Sequence, residues 1–63
     1  MNKYQAEAIA RMLNGKVHNE GESYWVHIEQ QNGFIVIARS MYDEAIYITQ
    51  MNKIGDTISD VKL

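Results

Sequence analysis

Cysteine and proline are both absent from this chain of 63 residues, and glycine occurs only four times. Without cysteine the chain can form no disulfide and no thiolate metal site, which fits the reducing cytoplasm, the compartment that we expect for it. Without proline and with so few glycines it shows no flexible linker. A single domain over residues 1–63 is therefore predicted, because a chain of this length forms at most one core.

Strong charge and long apolar runs are also missing. The net charge is only −2, so we do not expect a nucleic-acid partner, which would call for a basic surface. The N-terminal stretch MNKYQAEAIARML carries Glu7 and Arg11 among its apolar residues. It therefore predicts neither a signal peptide nor a membrane span, and we expect no membrane partner.

Catalytic and cofactor motifs are not found either, since no GxSxG, glycine-rich phosphate loop or HExxH is present. The two histidines, His18 and His27, fall on adjacent predicted strands in diagonal positions, without the short spacing of a zinc motif. The acidic residues that cluster at predicted turns, where charge is usually solvated, are Glu20, Glu22, Asp43 and Glu44. We therefore expect no enzyme activity, no cofactor and no metal.

The clearest element in the sequence is a helix over residues 2–14. Asn2 is suited to cap its start, and Asn14-Gly15 predicts its end, with Gly15 in the left-handed conformation. Apolar residues at i, i+4 and i+8 spacing predict one stripe that faces the core. Its members are Tyr4, Ala8 and Met12, with their neighbours Ile9 and Leu13.

Two strands follow, over residues 16–20 and 23–30. The second alternates with a period of two, so that one face carries Tyr24, Val26 and Ile28 and the other carries Trp25, His27 and Glu29. A loop of even length between the two strands adds Val17 to the Tyr24 face. We interpret that face as the core face, and we call the opposite side of the sheet the far face.

Asn32-Gly33 is the strongest hairpin signal in the chain. As a two-residue turn it pairs Ile28 with Ile37, which puts Ile35 and Ile37 on the core face. A three-residue loop over 31–33 would shift the register by one residue and exchange the two faces. Either way the following run, FIVIA, presents apolar side chains on both faces of the sheet.

Residues 41–53 permit two interpretations. Ser40 and Asp43 have the spacing of a capping box, which predicts a helix. The alternating β-branched residues Ile46 and Ile48 instead favour a strand at about 45–51. We prefer the strand, because a four-residue loop over 41–44 would bring both isoleucines beside the core face of the preceding strand. Residues 52–56 read as a turn, and the tail reads as an edge strand or a loose end.

The predicted fold class is α+β, with one N-terminal helix packed on an antiparallel meander sheet of four or five strands. The alternative has a second helix at about 41–53 and the element order α-β-β-β-α. In the preferred fold one helix covers only one face of the sheet, which leaves the far face without a cover.

The far face carries the one candidate functional site in the sequence, an apolar patch that we call the far-face patch. Its members are Trp25, Phe34, Val36, Ala38 and Tyr47. Exposed apolar and aromatic patches mark protein interfaces. We therefore predict a small non-enzymatic protein-interaction module that acts as a homodimer or on a protein partner. Two alternatives remain: a C-terminal segment that folds back over the patch, and a sheet that stacks a ligand or single-stranded nucleic acid on its aromatic rings.

Overall fold

One helix and five strands make up the fold in a computed structural model that describes residues 1–63. The elements are α1 (Lys3–Leu13), β1 (Lys16–Glu20), β2 (Ser23–Gln30), β3 (Gly33–Arg39), β4 (Ile46–Asn52) and β5 (Thr57–Lys62). The strands form one antiparallel sheet in the order β1-β2-β3-β4-β5. The predicted α+β fold is confirmed, and the alternative second helix at 41–53 is wrong. The single helix is neither long nor apolar enough to cross a membrane.

Both ends of α1 are fixed by polar residues next to it. The Gln5 backbone N–H donates to Asn2 Oδ1 at 2.8 Å, and the Asn2 backbone N–H donates to Gln5 Oε1 at 3.1 Å. These two bonds satisfy donors that the first turn leaves free. At the other end Asn14 takes the left-handed conformation, with φ 56°. The prediction that Gly15 would do so is wrong.

Gly15 is needed for a different reason, the close passage of the chain over β2. A Cβ atom at Gly15 would lie 2.9 Å from side-chain carbons of Val26 and Ile28. Real side chains do not approach so closely, so only glycine fits here without a shift of β2. The short connection between α1 and β1 therefore holds the helix tightly against the second strand.

The inward face of α1 is made of alanines rather than of the predicted stripe. Ala6 is fully buried and Ala10 is 7% exposed, whereas Tyr4 and Met12 are 81% and 82% exposed. The predicted stripe is wrong for a physical reason: small side chains let the helix approach the sheet closely, and the larger apolar residues then fall on its flank and outer side. Of their neighbours, only Ile9 packs against the core.

The core lies under the helix and is small. Besides the two alanines of α1, its buried members are Val26 of β2 and Ile37 of β3. The helix lies over β1 and β2 and approaches no other strand closely. The predicted core face is confirmed, since the half-buried residues packed around this centre include Val17, Tyr24, Ile28, Ile35, Ile46 and Ile48.

The β2–β3 hairpin differs from both predicted registers. Its turn is Gln31-Asn32, and Gly33 already belongs to β3, where it pairs with Gln30. The observed register is shifted by two residues from the register predicted with the two-residue turn. It is shifted by one residue from the register predicted with the three-residue loop. A shift of two keeps every side chain on its face, whereas a shift of one exchanges the faces. Ile35 therefore remains on the core face, opposite Ile28.

The segment that resembled a helix start forms a polar loop before β4. Ser40 Oγ accepts from the Tyr42 backbone N–H, and Asp43 Oδ1 accepts from the Ala45 backbone N–H, both at 3.1 Å. These bonds close turns that compete with helix formation. The predicted strand at about 45–51 is confirmed as β4, in which Ile48 pairs with Ile37.

A second polar turn leads into the last strand. Asn52 Oδ1 accepts from the backbone N–H groups of Ile54 and Asp56, at 3.1 and 2.9 Å. The chain then returns along β4 as β5, which pairs on one side only. The predicted edge strand is confirmed, and the loose end is not observed.

We predict that Gly33→Ala destabilises the protein strongly. An ideal Cβ atom at Gly33 would lie 2.0 Å from the backbone oxygen of Met51 in β4, so the two strands would have to separate. Overpacking of this kind costs about 1–3 kcal/mol and sometimes more, and we expect a loss at the upper end of that range in urea unfolding. Gly21→Ala is the control, because Gly21 has a positive φ of 63° and open space around it, which gives a loss of about 1 kcal/mol. Equal losses for the two variants would contradict the close β3–β4 approach.

Candidate functional site

The sheet register brings all five residues of the far-face patch onto the same side. Ala38 pairs with Tyr47 across β3 and β4, and His27 pairs with Val36 across β2 and β3. Because alternate residues of a strand share a face, Trp25 lies with His27, and Phe34 lies with Val36. The five side chains are all half-buried by their neighbours in the sheet.

No helix or strand of the chain lies over this patch. The helix packs on the opposite side, against β1 and β2. The C-terminal segment, which one alternative folded back over the patch, forms β5 in the plane of the sheet. That alternative is therefore wrong, and the outer edges of the patch face solvent.

A row of rings crosses the patch from β1 to β3. The rings of His18 and Trp25 stack with centroids 4.3 Å apart and planes 13° apart. Those of His27 and Phe34 lie 5.0 Å apart, and those of Trp25 and His27 lie 6.4 Å apart. His18 was predicted from the sequence only as a metal candidate. Its pairing with Trp25 could have been predicted, because a two-residue turn between β1 and β2 places the two residues opposite each other.

The stacking shows how these rings stand on the sheet. Neighbouring strands lie about 4.8 Å apart, and the 4.3 Å separation of the His18 and Trp25 centroids is close to that spacing. Rings that lay flat on two strands would sit side by side and could not stack. These two rings are therefore upright, and they present their edges rather than their faces to anything that approaches from outside.

The two histidines, the metal candidates of the sequence, lie on the same face of the sheet. Their ring centroids are 5.9 Å apart in the diagonal positions that the sequence predicted. Glu29 Oε1 lies 3.0 Å from His27 Nε2, yet this buried nitrogen has no partner with hydrogen-bond geometry. No three histidine or acidic side chains come together in an arrangement that could hold a metal ion.

The edge of the patch near the β3–β4 loop is held by a polar cluster around Asp43. The Tyr47 hydroxyl donates to Asp43 Oδ2 at 2.6 Å, and Lys62 Nζ lies 3.6 Å from the same oxygen. The Tyr47 hydrogen bond, with help from the Ala45 backbone and Lys62, holds the pKa of Asp43 below its ordinary value. The same hydrogen bond raises the pKa of Tyr47. The phenol ring is therefore fixed in place at the border of the patch.

The remaining acidic candidates stay separate from one another. Glu44 pairs with Arg39, with Oε1 and Nη2 3.0 Å apart. Glu20 and Glu22 are exposed at the β1–β2 turn, at the same end of the strands as Arg39. None of the hydrogen bonds and ion pairs of these acidic residues joins one carboxylate to another.

Comparisons with protein-family models, curated proteins and solved structures gave no match for this chain. Its function is therefore argued from the far face and its surroundings.

We predict that Tyr47→Phe raises the pKa of Asp43 towards its ordinary value of 3.8, because the largest cause of its lowering is lost. An acid whose pKa is lowered on folding stabilises the folded state above its unfolded-state pKa, and loses that contribution as the pH falls through the folded-state pKa. The variant should thus lose less stability on acidification. The measurement is an NMR titration of the Asp43 carboxyl carbon. Tyr42→Phe is the control, and the same Asp43 titration in both variants would contradict the assignment.

Proposed function

We propose that this chain is a small non-enzymatic protein-interaction module of the cytoplasm, and that its far face docks on another protein surface. The observation that carries the proposal is an uncovered sheet face with five apolar residues on three adjacent strands. Antiparallel sheets usually turn polar side chains to water on the face away from the core. The absence of cysteine supports the reducing compartment.

The layout of charge supports a protein as the partner. The centre of the face, with Trp25, Val36 and Ala38, carries no charged group. Charged side chains lie at its border, at Glu29 opposite Phe34 and in the ion pair Lys62–Asp43 beside Tyr47. An apolar and aromatic centre inside a polar rim is the usual arrangement of protein interfaces.

A second copy of this chain or a different protein could supply the opposing surface. A homodimer would also add buried area to a chain in which only five of 63 residues are buried. Chains of this size gain stability from association because their own cores are small.

The second candidate function is the binding of a ligand or of single-stranded nucleic acid, and the row of aromatic rings favours it. Two observations weigh against it. Base stacking uses ring faces, whereas His18 and Trp25 stack on each other and turn their edges outward. Phosphate binding needs positive charge, whereas the net charge is −2.

We predict that Trp25→Glu abolishes association through the far face, because it places a carboxylate at the centre of an apolar contact. Trp25 is the only tryptophan, so its emission reports directly on this surface. Sedimentation and fluorescence are measured together over a range of concentrations. Any complex that covers the far face shifts the emission to the blue, and that complex should be lost in the variant.

Ile54→Glu is the matched control, since Ile54 is 82% exposed in the β4–β5 turn, and its complexes should match those of the wild type. A blue-shifted complex whose mass and melting temperature survive Trp25→Glu would contradict the proposal. Emission that is already blue-shifted in a strict monomer would do the same. Retention of the wild type on a polynucleotide column at low salt, with loss in Trp25→Glu, would favour the second candidate function instead.

A further inference from the structure

The side of the sheet that carries the helix is only half covered. Since α1 lies over β1 and β2, the helix side of β4 and β5 has no element above it. Ile48 pairs with Val61 there, and the Leu63 backbone N–H donates to the Ile46 oxygen at 2.9 Å. We call Ile46, Ile48, Val61 and Leu63 the β4–β5 shelf. Val61 is 53% and Leu63 is 70% exposed.

An apolar groove runs between the helix and this shelf. Its volume is about 320 Å³, and five of its six lining residues are apolar. The helix side is lined by Met1, Gln5, Ala8 and Ile9, and the shelf side by Ile46 and Leu63. The groove thus has an apolar wall, an apolar floor and an open top.

The outer side of α1 supplies an apolar surface of its own, which we call the outer stripe. It consists of Tyr4, Ala8 and Met12, four residues apart in turn and all exposed. Charged residues of the helix fall on a different flank, at Lys3, Glu7 and Arg11. The helix therefore has two apolar faces, the alanines that pack on its own sheet and a stripe that packs on nothing in this chain.

We infer that the β4–β5 shelf receives α1 of a second copy of this chain, and that the outer stripe of each copy packs on the shelf of the other. Each copy holds one shelf and one stripe, so a single two-fold axis satisfies both at once. The two helices then lie side by side between the two sheets, with the small side chain of Ala8 at the flank that lines the groove.

The dimensions of the two surfaces agree with this arrangement. A helix of eleven residues is about 16 Å long and about 10 Å wide. The strand β4, with seven residues, is about 23 Å long, and β4 and β5 together are about 10 Å wide at about 4.8 Å per strand. The vacant half of the sheet is therefore the size of one more helix, and the helix present in this chain already has the apolar outer face to fill it.

The exposed area is also of the order that a dimer needs. The four most exposed side chains of stripe and shelf are 81% (Tyr4), 82% (Met12), 53% (Val61) and 70% (Leu63) exposed. They offer on the order of 500 Å² per copy, so two copies reach the roughly 1,000 Å² of a specific interface before the half-buried groove residues are counted.

This dimer goes beyond the function proposed for the far face, because it uses the opposite side of the sheet. The far faces of both copies stay on the outside, free to bind a different protein. The two contacts also differ in their signals: helix-side association raises the mass without a blue shift of Trp25 emission, whereas far-face association changes both.

The test is the dimer dissociation constant of Ala8→Glu, measured by sedimentation equilibrium. Glutamate is a good helix former, and position 8 is exposed in the single chain, so circular dichroism should show an intact fold. A carboxylate buried between two helices and a sheet has no partner, and we expect the constant to rise at least roughly tenfold. Arg11→Gln is the control, because it changes the net charge equally on the polar flank of the same helix.

Leu63→Glu repeats the test from the shelf without any change to the helix, and it should weaken the dimer as Ala8→Glu does. Trp25→Glu should leave the constant within about twofold of the wild type. The inference is overturned if the wild type stays monomeric at high concentration, or if both Ala8→Glu and Leu63→Glu dimerise like the wild type. It is also overturned if Trp25→Glu alone breaks the dimer, an outcome that would leave the far-face proposal standing.

Discussion

The close packing of α1 on β2 is the constraint on which the rest of the structure depends. Ala6 and Ala10 bring the helix down onto Val26, and Gly15 lets the chain turn over the same strand without a clash. Larger side chains at these positions would hold the helix farther from the sheet. The helix lies closest to β1 and β2 and packs with Ile37 of β3 in the core, and no element lies over β4 and β5. The uncovered surfaces of this protein, and with them the proposed function, follow from that position.

The two uncovered surfaces differ in character. On the far face the side chains of the patch are half-buried, and the rings of His18 and Trp25 stand upright and stack on each other. On the helix side, Val61 of β5 and Leu63 after it are more than half exposed, and Ile46 and Ile48 of β4 are half-buried beside them. Burial of apolar area contributes about 25 cal/mol per Å², so covering a few hundred Å² adds several kcal/mol to the free energy of association. Whole domains have a free energy of unfolding of only about 5–15 kcal/mol. Association would therefore matter as much to the stability of this protein as to its function.

The sequence predicted the strands well because their signal is local. Alternation in SYWVHIEQ marked the core face, and β-branched residues separated β4 from a helix. The assignment of side chains to the two faces stayed correct despite the error in the hairpin turn, because the register was wrong by two residues, an even number.

The outward direction of Tyr4 and Met12 could not be predicted from helix periodicity. It depends on how closely the helix approaches the sheet, which is a property of packing between distant parts of the chain. The members of the far-face patch were predictable for the same reason as the strands, but the upright stack of His18 on Trp25 needed the three-dimensional register.

The central claim is that the chain itself covers only half of one side of its sheet. The most direct measurement is NMR line broadening by a soluble paramagnetic probe, recorded on dilute protein in which the monomer dominates. The account predicts strong broadening of the Trp25 indole and of the Val36 and Leu63 methyl groups, and weak broadening of the Val26 methyl groups under the helix. Protection of Trp25, Val36 and Leu63 equal to that of Val26 in the monomer would contradict the account, because it would mean that the chain covers both surfaces itself.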